Sequence, residues 1–421
     1  MSYRTTSMSW IGDVPRHWNI VPIKWVVRLQ KDRTHCLPED WKYVGLEDVE
    51  AETGKYSPSA ESARTSEDGM SGIFDAGDVL YGKLRPYLRK SIVAEFTGAC
   101  STEFLVLRPT IVVPRWLQSW LLTTEITQRI EASCEGAKMP RAGWSSIGSL
   151  PIPVPPKEEQ EQILSVLARI TSRIDTLITK KTRFIEMLCE KRQALITHAV
   201  TKGVDARAPM KDSGVEWLGK VPAHWDVVSP AALFTESKER ARDGDQMLSA
   251  TQKYGVIPLA EFEALEQRQV TKASANLEMR KHVEIGNFVI SMRSMDGGLE
   301  RVRAIGSVRS SYSVLKAGPD VEGRFFGALL KSNLYIQALR LTSNFIRDGQ
   351  DLNFSHVRKV KLPKPQLDEQ VAIADYIEAG TARIDALIAK TERSIELLCE
   401  HRTALITAAV TGKIDLHDDA A

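Results

Sequence analysis

The amino-acid sequence predicts an α+β protein in which one unit, an α/β domain followed by a long helix, occurs twice. Three observations predict this fold class: a short motif recurs, a long helical motif recurs at nearly the same offset, and the blocks between them mix strand and helix patterns. We expect the two long helices to be antiparallel and to pack like a coiled coil. They would then separate two α/β domains related by a pseudo-twofold internal repeat.

The short motif opens each unit. Residues 10–18 read Trp-Ile-Gly-Asp-Val-Pro-Arg-His-Trp, and residues 217–225 read Trp-Leu-Gly-Lys-Val-Pro-Ala-His-Trp, an offset of 207. The two histidines, His17 and His224, share this apolar and aromatic setting, which favours packing over catalysis. The motif therefore predicts the start of a repeated structural frame.

The long motif closes each unit. Residues 173–201 align with residues 383–411 at an offset of 210, and 20 of the 29 positions are identical. Prolines precede each copy and apolar residues then recur every three or four positions, which predicts a helix from about residue 158 to 200 and a counterpart. Such a helix would be roughly 60 Å long, and Gly203 and Gly412 are expected to end the two copies.

These motifs divide the chain into four predicted segments. Residues 1–150 form a first domain and residues 151–203 a first spacer helix; residues 204–360 hold a linker and a second domain, and residues 361–421 hold a second spacer helix and a tail. The variable residues 23–150 and 229–360 are called the first insert and the second insert.

The inserts differ far more than their flanks, and each predicts short strands with one helix. Strands are expected at residues 78–82, 91–94 and 103–107 of the first insert, with a helix at 115–133. In the second insert the expected strands are 288–292, 303–306 and 312–315, with a helix at 324–341.

Charged residues on the predicted helices are matched between the two copies. Exposed charged residues diverge after a duplication unless a partner recognises them. We therefore expect one outside partner that binds both copies. The candidate partner-binding residues are Lys180, Arg183, Glu186, Glu190 and Arg192, and their counterparts Lys390, Arg393, Glu396, Glu400 and Arg402. An ordinary helical hairpin with no spacing role is the alternative, but it does not explain the matched charges.

Clusters of basic side chains follow a predicted strand in each insert, although the formal net charge of the chain is only +2. Arg and Lys can clamp phosphates or bind guanine, and Asn and Gln can pair with adenine, so we favour nucleic-acid contacts over a merely solvated surface. The first insert offers Tyr81, Lys83, Arg85, Tyr87, Arg89, Lys90, Lys138 and Arg141. The second insert offers Ser291, Arg293, Ser294, Arg301, Arg303, Arg347, Gln350 and Asn353.

Other functional classes leave no signature. Five cysteines without a Cys-x-x-Cys pair argue against a disulfide framework or a zinc site and fit a reducing cytoplasm. No Walker A, Gly-x-Gly-x-x-Gly or His-Glu-x-x-His motif is present, no secretory leader is recognised, and no apolar run reaches the length of a membrane span. We therefore expect a non-catalytic cytoplasmic protein.

The arrangement resembles the specificity subunit of type I restriction-modification systems. The residues that carry the resemblance are the motif at 217–225, the stretches 77–86 and 288–295, and the Glu-Gln pairs at 159–160 and 369–370. The resemblance implies two target recognition domains that each read half of a split site in double-stranded DNA, and two spacer helices that dock two methyltransferase subunits. Restriction subunits with translocase activity would join them. S-adenosylmethionine, ATP and Mg²⁺ would belong to those partners, so this chain would hold no cofactor or metal.

Two other interpretations stay open from the residues alone. The repeats could form a coiled-coil scaffold that binds only protein, or the chain could be an autonomous nuclease. No clear cluster of metal-binding carboxylates supports the nuclease. A DNA band shift in the presence of a methyltransferase partner would separate the scaffold from a DNA-reading protein.

Overall fold

The computed structural model describes the whole chain except residues 1, 7, 9, 39, 59–68, 135, 137, 138, 271–276, 292, 293, 343–351 and 415–421. The chain forms two compact units: residues 1–181 together with 393–421, and residues 182–392. Each unit therefore contains one insert, the beginning of one long helix and the end of the other. The predicted boundaries at residues 150, 203 and 360 stay predictions, because the compact units are divided within the helices.

A frame of short strands holds each insert at its two ends. The strand that precedes the insert pairs antiparallel with the strand that follows it, and a hairpin made by the short motif lies before both. The paired strands of the first unit are Tyr3–Thr5 with Asp13–Pro15, and Asn19–Pro22 with Pro151–Val154. Those of the second unit are Met210–Asp212 with Lys220–Pro222, and Asp226–Val228 with Leu362–Lys364.

Both inserts contain the same four-stranded antiparallel sheet, in spite of their divergent sequences. Its strand order in the first insert is Val27–Gln30, Phe104–Pro109, Val79–Gly82, Ser91–Val93. Its order in the second insert is Phe234–Ser237, Ser313–Ala317, Phe288–Ile290, Glu300–Arg301. The duplication therefore extends into the inserts, where sequence identity is weak.

One turn explains a motif that survives in both inserts. Gly77 and Gly286 precede the third strand of this order with φ values of +91° and +90°, a conformation that glycine adopts without a Cβ penalty. The next side chain closes the turn: Asp78 accepts a hydrogen bond from the backbone N–H of Asp75 (2.9 Å), and Asn287 accepts one from Glu284 (3.1 Å). The Gly-Asp and Gly-Asn pairs are thus structural.

Smaller sheets complete the inserts. In the first insert the strand order is Arg33–Thr34, Ser71–Phe74, Gly98–Cys100, Lys42–Val44. In the second insert a hairpin joins Leu248–Thr251 to Gly255–Pro258, and Lys281–Val283 pairs with Gly306–Val308.

Short helices cover these sheets. The first insert has α-helices Ile23–Val26, Pro114–Leu121, Thr124–Ala132 and Trp144–Ser149, and 3-10 turns Leu46–Asp48 and Pro86–Leu88. The second has α-helices Leu259–Glu266, Ser294–Gly297, Gly323–Leu329, Asn333–Thr342 and Phe354–Val357, and 3-10 turns Pro230–Ala232 and Leu277–Met279.

The prediction of a single helix at residues 115–133, and of another at 324–341, was wrong. Each is two helices, and the break is made by a hydroxyl that competes for a backbone carbonyl. The Thr123 hydroxyl donates to the Trp120 carbonyl (2.8 Å), and the Ser332 hydroxyl donates to the Leu329 carbonyl (2.8 Å). The strand expected at 303–306 begins only at Gly306, because Arg303 donates its backbone N–H to Val256 of the hairpin.

The two long helices are Lys157–Lys202 and Leu367–Val410, of 46 and 44 residues. Gly203 and Gly412 follow them with φ values of +77° and +73°, which confirms both as helix stops. In the first unit, Ile163 near the start of one helix shares a core with Val410 at the end of the other. In the second unit, Ile373 and Val200 do the same.

Each frame packs on its insert through matched aromatic pairs. Trp18 meets Trp116 edge to face at 5.6 Å between ring centroids, and Trp225 meets Phe325 at 6.4 Å. These rings lie in the main core of each unit, together with the helix residues described above. A smaller second core lies within each insert, around Leu80 in the first and Val289 in the second. The inserts are therefore rigidly mounted on the frame.

Candidate nucleic-acid interface

The fold brings two predicted DNA-binding segments of the first insert together. Lys83 accepts a backbone hydrogen bond from Ala142 (3.0 Å), and Arg85 donates its backbone N–H to Pro140 (2.9 Å). An antiparallel bridge joins Leu84 to Arg141 between these two bonds. Two segments more than 50 residues apart in sequence therefore form one surface.

Arg85 and Tyr87 are exposed on this surface. Tyr87 is 47% exposed. Arg85 has a φ of +51°, and Arg89 one of +47°, so both ends of the intervening 3-10 turn are left-handed without being glycine. A left-handed backbone conformation is uncommon for residues with long side chains. It persists where surrounding contacts stabilise it, often at functional sites. Lys83 and Arg85 have no ion-pair partner within the described part of the chain.

Arg141 belongs to the same surface but already has an acidic partner. Its guanidinium makes two hydrogen bonds to the Glu103 carboxylate, of 3.1 and 3.0 Å. The carboxylate raises the pKa of Arg141 and so keeps it charged. Glu103 also fixes the plane of the guanidinium, which presents its remaining N–H groups in a fixed direction.

Three other predicted residues of the first insert are turned inward. Tyr81 is 0% exposed within the main core, and this burial raises its pKa, so the expectation that it contacts DNA is corrected. Arg89 is ion-paired with Glu52, and Lys90 donates to the Leu46 carbonyl (2.7 Å). These two cations hold the loop in place. Lys138 lies outside the described residues.

The serines predicted to read DNA in the second insert are structural. Ser294 is 1% exposed, and its hydroxyl accepts the backbone N–H of Ser291 (2.9 Å) at the start of helix Ser294–Gly297. Ser291 is 7% exposed. Both contacts predicted for them are therefore corrected, because neither side chain reaches the surface.

Of the two described arginines predicted to bind DNA in the second insert, Arg301 is half-buried and Arg303 is exposed. Arg301 packs on helix Gly323–Leu329, and its buried Nε has no hydrogen-bond partner within the described part of the chain. Arg303 is exposed and forms no ion pair with any described residue. Asn353 is exposed, but its side chain caps helix Phe354–Val357 by accepting from the N–H of Ser355 (2.9 Å). Arg293, Arg347 and Gln350 lie outside the described residues.

Some of the matched helix charges have an intramolecular explanation that the sequence did not reveal. Arg192 pairs with Asp385 in the second unit (2.8 Å), and Arg402 pairs with Asp175 in the first (3.1 Å). These ion pairs join the two helix segments within each unit. The two arginines are therefore better explained by the helix pair than by an outside partner.

The other matched charges lie on the helix surface. Arg183 pairs with Glu186 and Arg393 with Glu396, each at 2.7 Å along one helix. Lys180, Glu190, Lys390 and Glu400 are exposed. These positions keep their place as predicted docking residues, since burial does not account for them.

The Glu-Gln pairs after the prolines connect each long helix to its frame. Glu159 lies 2.8 Å from His17 Nε2 and accepts from Trp18 Nε1 (2.9 Å), and Glu369 lies 2.8 Å from His224 Nε2. Gln160 accepts the N–H of Val113 (2.9 Å) at the start of an insert helix. Gln370 likewise accepts the N–H of Glu322 (2.8 Å). The packing role expected for both histidines is thereby supported by contacts.

Sequence reasoning missed the hairpin tip at residues 252–254, which lies beside Arg303. The signal was present only weakly, as polar residues followed by Gly255 and the apolar pair Val256-Ile257. Within the described residues, no group of three or more metal-binding side chains occurs, and no helix is long and apolar enough to span a membrane.

Comparisons with known proteins find similarity to type I restriction enzyme specificity subunits. Residues 94–187 match the type I restriction modification DNA specificity domain. The chain is 27% identical over 191 residues to the EcoDI specificity subunit of Escherichia coli, a match that spans 44% of this chain and 40% of that subunit. It is 22% identical to the MjaVIII specificity subunit of Methanocaldococcus jannaschii, over 90% of this chain and 94% of that one.

A solved structure has the same fold. It is a chain from a study of complex assembly and conformational transition in a type I restriction-modification system, with a TM-score of 0.70 and 16% sequence identity. The alignment covers 95% of this chain and 99% of that chain. The fold therefore extends over the whole length described.

Proposed function

We propose that this chain, a relative of the type I restriction-modification specificity subunits, is a non-catalytic subunit that reads a bipartite DNA site. The main observation is that the chain contains two inserts built on the same sheet and mounted on the same frame, and that the specificity domain matched at residues 94–187 runs from the first insert into the first long helix. Because one chain carries two such inserts, each insert can bind one half of a two-part DNA site.

In the first insert the reading surface is formed by the loop at Lys83 and Arg85 together with the segment at Arg141. Contacts from its basic side chains to phosphates fix the position of the domain along the DNA, and its arginines also contact base edges. The near-neutral charge of the chain means that local geometry, rather than bulk attraction, directs binding. We expect the two half-sites to lie about one helical turn apart, as two domains on one face of DNA require.

The long helices serve as the docking surface for two methyltransferase subunits and pack on each other as an antiparallel coiled coil. Support comes from Lys180 and Lys390, which are matched between the repeats and exposed, and from Met187 and Leu397, which are matched, apolar and about half-exposed. Because the same surface occurs in both repeats, it can bind two copies of one partner. Restriction subunits would join that assembly, and S-adenosylmethionine, ATP and Mg²⁺ would be held by the partners.

Genome-wide mapping of methylated adenines tests this function. Cells that express the chain with its methyltransferase partner are expected to carry methylation at a split motif, and cells without the chain are expected to lose it. A contiguous motif would refute the two-insert reader, and DNA cleavage by the chain alone with Mg²⁺ would refute the non-catalytic role.

A further inference from the structure

The tip of a β-hairpin in the second insert lies beside the segment that carries Arg301 and Arg303. Strands Leu248–Thr251 and Gly255–Pro258 are joined by residues 252–254, and Gly255 has a φ of +78°. The Thr251 hydroxyl accepts from the N–H of Tyr254 (3.0 Å) and donates to the Gly255 carbonyl (2.9 Å). This three-residue turn with a left-handed glycine has a defined shape.

Close backbone contacts fix the tip against the segment that carries Arg303. A Cβ at Gly255 would lie 2.7 Å from the Arg301 carbonyl oxygen, so only glycine allows this approach. Arg303 donates its backbone N–H to Val256 (3.0 Å). The tip and the exposed Arg303 side chain are therefore neighbours on a rigid base.

Gln252 packs against the end of helix Ser294–Gly297. Its side chain lies over Gly297, where a Cβ would come within 2.6 Å of the amide nitrogen. Its backbone carbonyl accepts from Lys331 Nζ, which also lies 2.8 Å from the buried carboxylate of Glu300. Gln252 itself is exposed, and its side-chain amide has no hydrogen-bond partner within the described part of the chain.

The other two residues of the tip are already engaged. Tyr254 donates its hydroxyl to Glu266 (3.0 Å), and Lys253 lies over the Tyr254 ring at 4.8 Å. These contacts tie the tip to helix Leu259–Glu266. The groups left free to bind a ligand are the Gln252 amide and the Arg303 guanidinium.

We propose that this hairpin tip is a second base-reading element of the second insert, in which the Gln252 amide selects a base edge and Arg303 contacts the adjacent phosphate or base. The proposal rests on the DNA-reading function proposed above. A glutamine amide presents a donating NH2 group beside an accepting carbonyl oxygen, the combination that matches the N7 acceptor and N6 donor of adenine in the major groove. Lys331 acts as a positioning residue, because it holds the Gln252 backbone.

The test compares adenine-methylation motifs for the wild-type chain, Gln252→Ala and Gln252→Glu, each expressed with the methyltransferase partner. Gln269→Ala is the matched control, since Gln269 is an exposed glutamine of the same insert that is not one of the tip residues 252–254. We expect Gln252→Ala to lower discrimination roughly tenfold at one or two base pairs of one half-site and to leave the other half unchanged. Gln252→Glu should shift the preferred base toward one that only donates, such as cytosine.

The proposal would be overturned if both Gln252 variants methylated the same motif as the wild type, with the same discrimination at every base pair. Loss of all methylation together with a lower melting temperature would also overturn it, because Gln252 would then be structural. Absence of a split motif in the wild type would instead refute the proposed function, so the two failures are distinguishable.

Discussion

At the scale of single residues, the strand-to-loop boundary in the first insert decides which side chains are available. Tyr81 is the last large residue of its strand that points into the core, whereas Lys83 and Arg85 follow after the chain has turned outward. Successive side chains of a strand lie on opposite faces, and here both faces are buried, Tyr81 in the main core and Leu80 in the smaller one. Side chains therefore become available for binding only after the strand ends at Gly82.

Replacing Lys83 and Arg85 together with alanine is expected to weaken binding to the first half-site about tenfold and to reduce the salt slope by about one per lost phosphate contact. Binding titrations at several salt concentrations would measure both. Tyr81→Phe is the control: it removes a buried hydroxyl that has no partner among the described residues, so affinity should not change. Equal losses in both variants would contradict the assignment.

At the scale of elements, the cap of helix Gly323–Leu329 links pH to stability. Burial raises the pKa of Glu322, but hydrogen bonds from the Arg324 side chain and from the backbone N–H groups of Phe325 and Arg324 lower it overall. A lowered folded pKa contributes stability above the unfolded value, and that stability is lost as pH falls through the folded pKa.

Glu322→Gln is therefore expected to be about 1 kcal/mol less stable than the wild type at neutral pH, with the gap closing on acidification. Denaturant melts at several pH values would measure the gap. Because Asp375 and Glu378 also bind Arg324, only the difference between variant and wild type reports on Glu322. A gap that stays constant down to acidic pH would refute the ion-pair contribution.

The charges on the long helices separate into two kinds that can be tested apart. Arg192→Ala should weaken helix pairing by only about 0.5 kcal/mol, since both partners of the Asp385 pair are partly exposed, and should leave methyltransferase binding unchanged. Lys180→Ala with Lys390→Ala should weaken methyltransferase binding and leave the melting temperature unchanged. If Arg192→Ala instead weakened methyltransferase binding and left stability unchanged, Arg192 would belong to the docking surface. Calorimetry and melting curves of each variant decide between them.

At the scale of the whole molecule, each unit is completed by the end of the helix that begins in the other. Val410, near the end of the second helix, is 0% exposed in the core of the first unit, and its repeat counterpart Val200 is 0% exposed in the core of the second. Stability of the first insert's frame therefore depends on residues that come last among those described.

Val410→Ala is expected to destabilise the first unit by about 2 kcal/mol, and Val200→Ala the second unit by a similar amount. Hydrogen exchange resolved by peptide would show faster exchange in the frame at residues 10–22 for Val410→Ala. For Val200→Ala the faster exchange would appear at residues 217–228. Faster exchange of the same peptides in both variants would contradict the division into two units.

The sequence by itself determined the duplication and the long helices with their glycine stops. These depend on local periodicity, on glycine conformation and on identity between repeats, all of which can be counted along the chain. It also placed basic residues after the correct strand.

Only the tertiary structure decided how those residues are used. Burial removed Tyr81 and Ser294 from the reading surface, long-range pairing joined Lys83 to the segment at Arg141, and ion pairs between helices accounted for Arg192 and Arg402. The physical reason is that exposure and pairing depend on which elements pack together. Sequence neighbours reveal the local conformation of a residue, whereas its partners come from chain segments that lie far away in sequence.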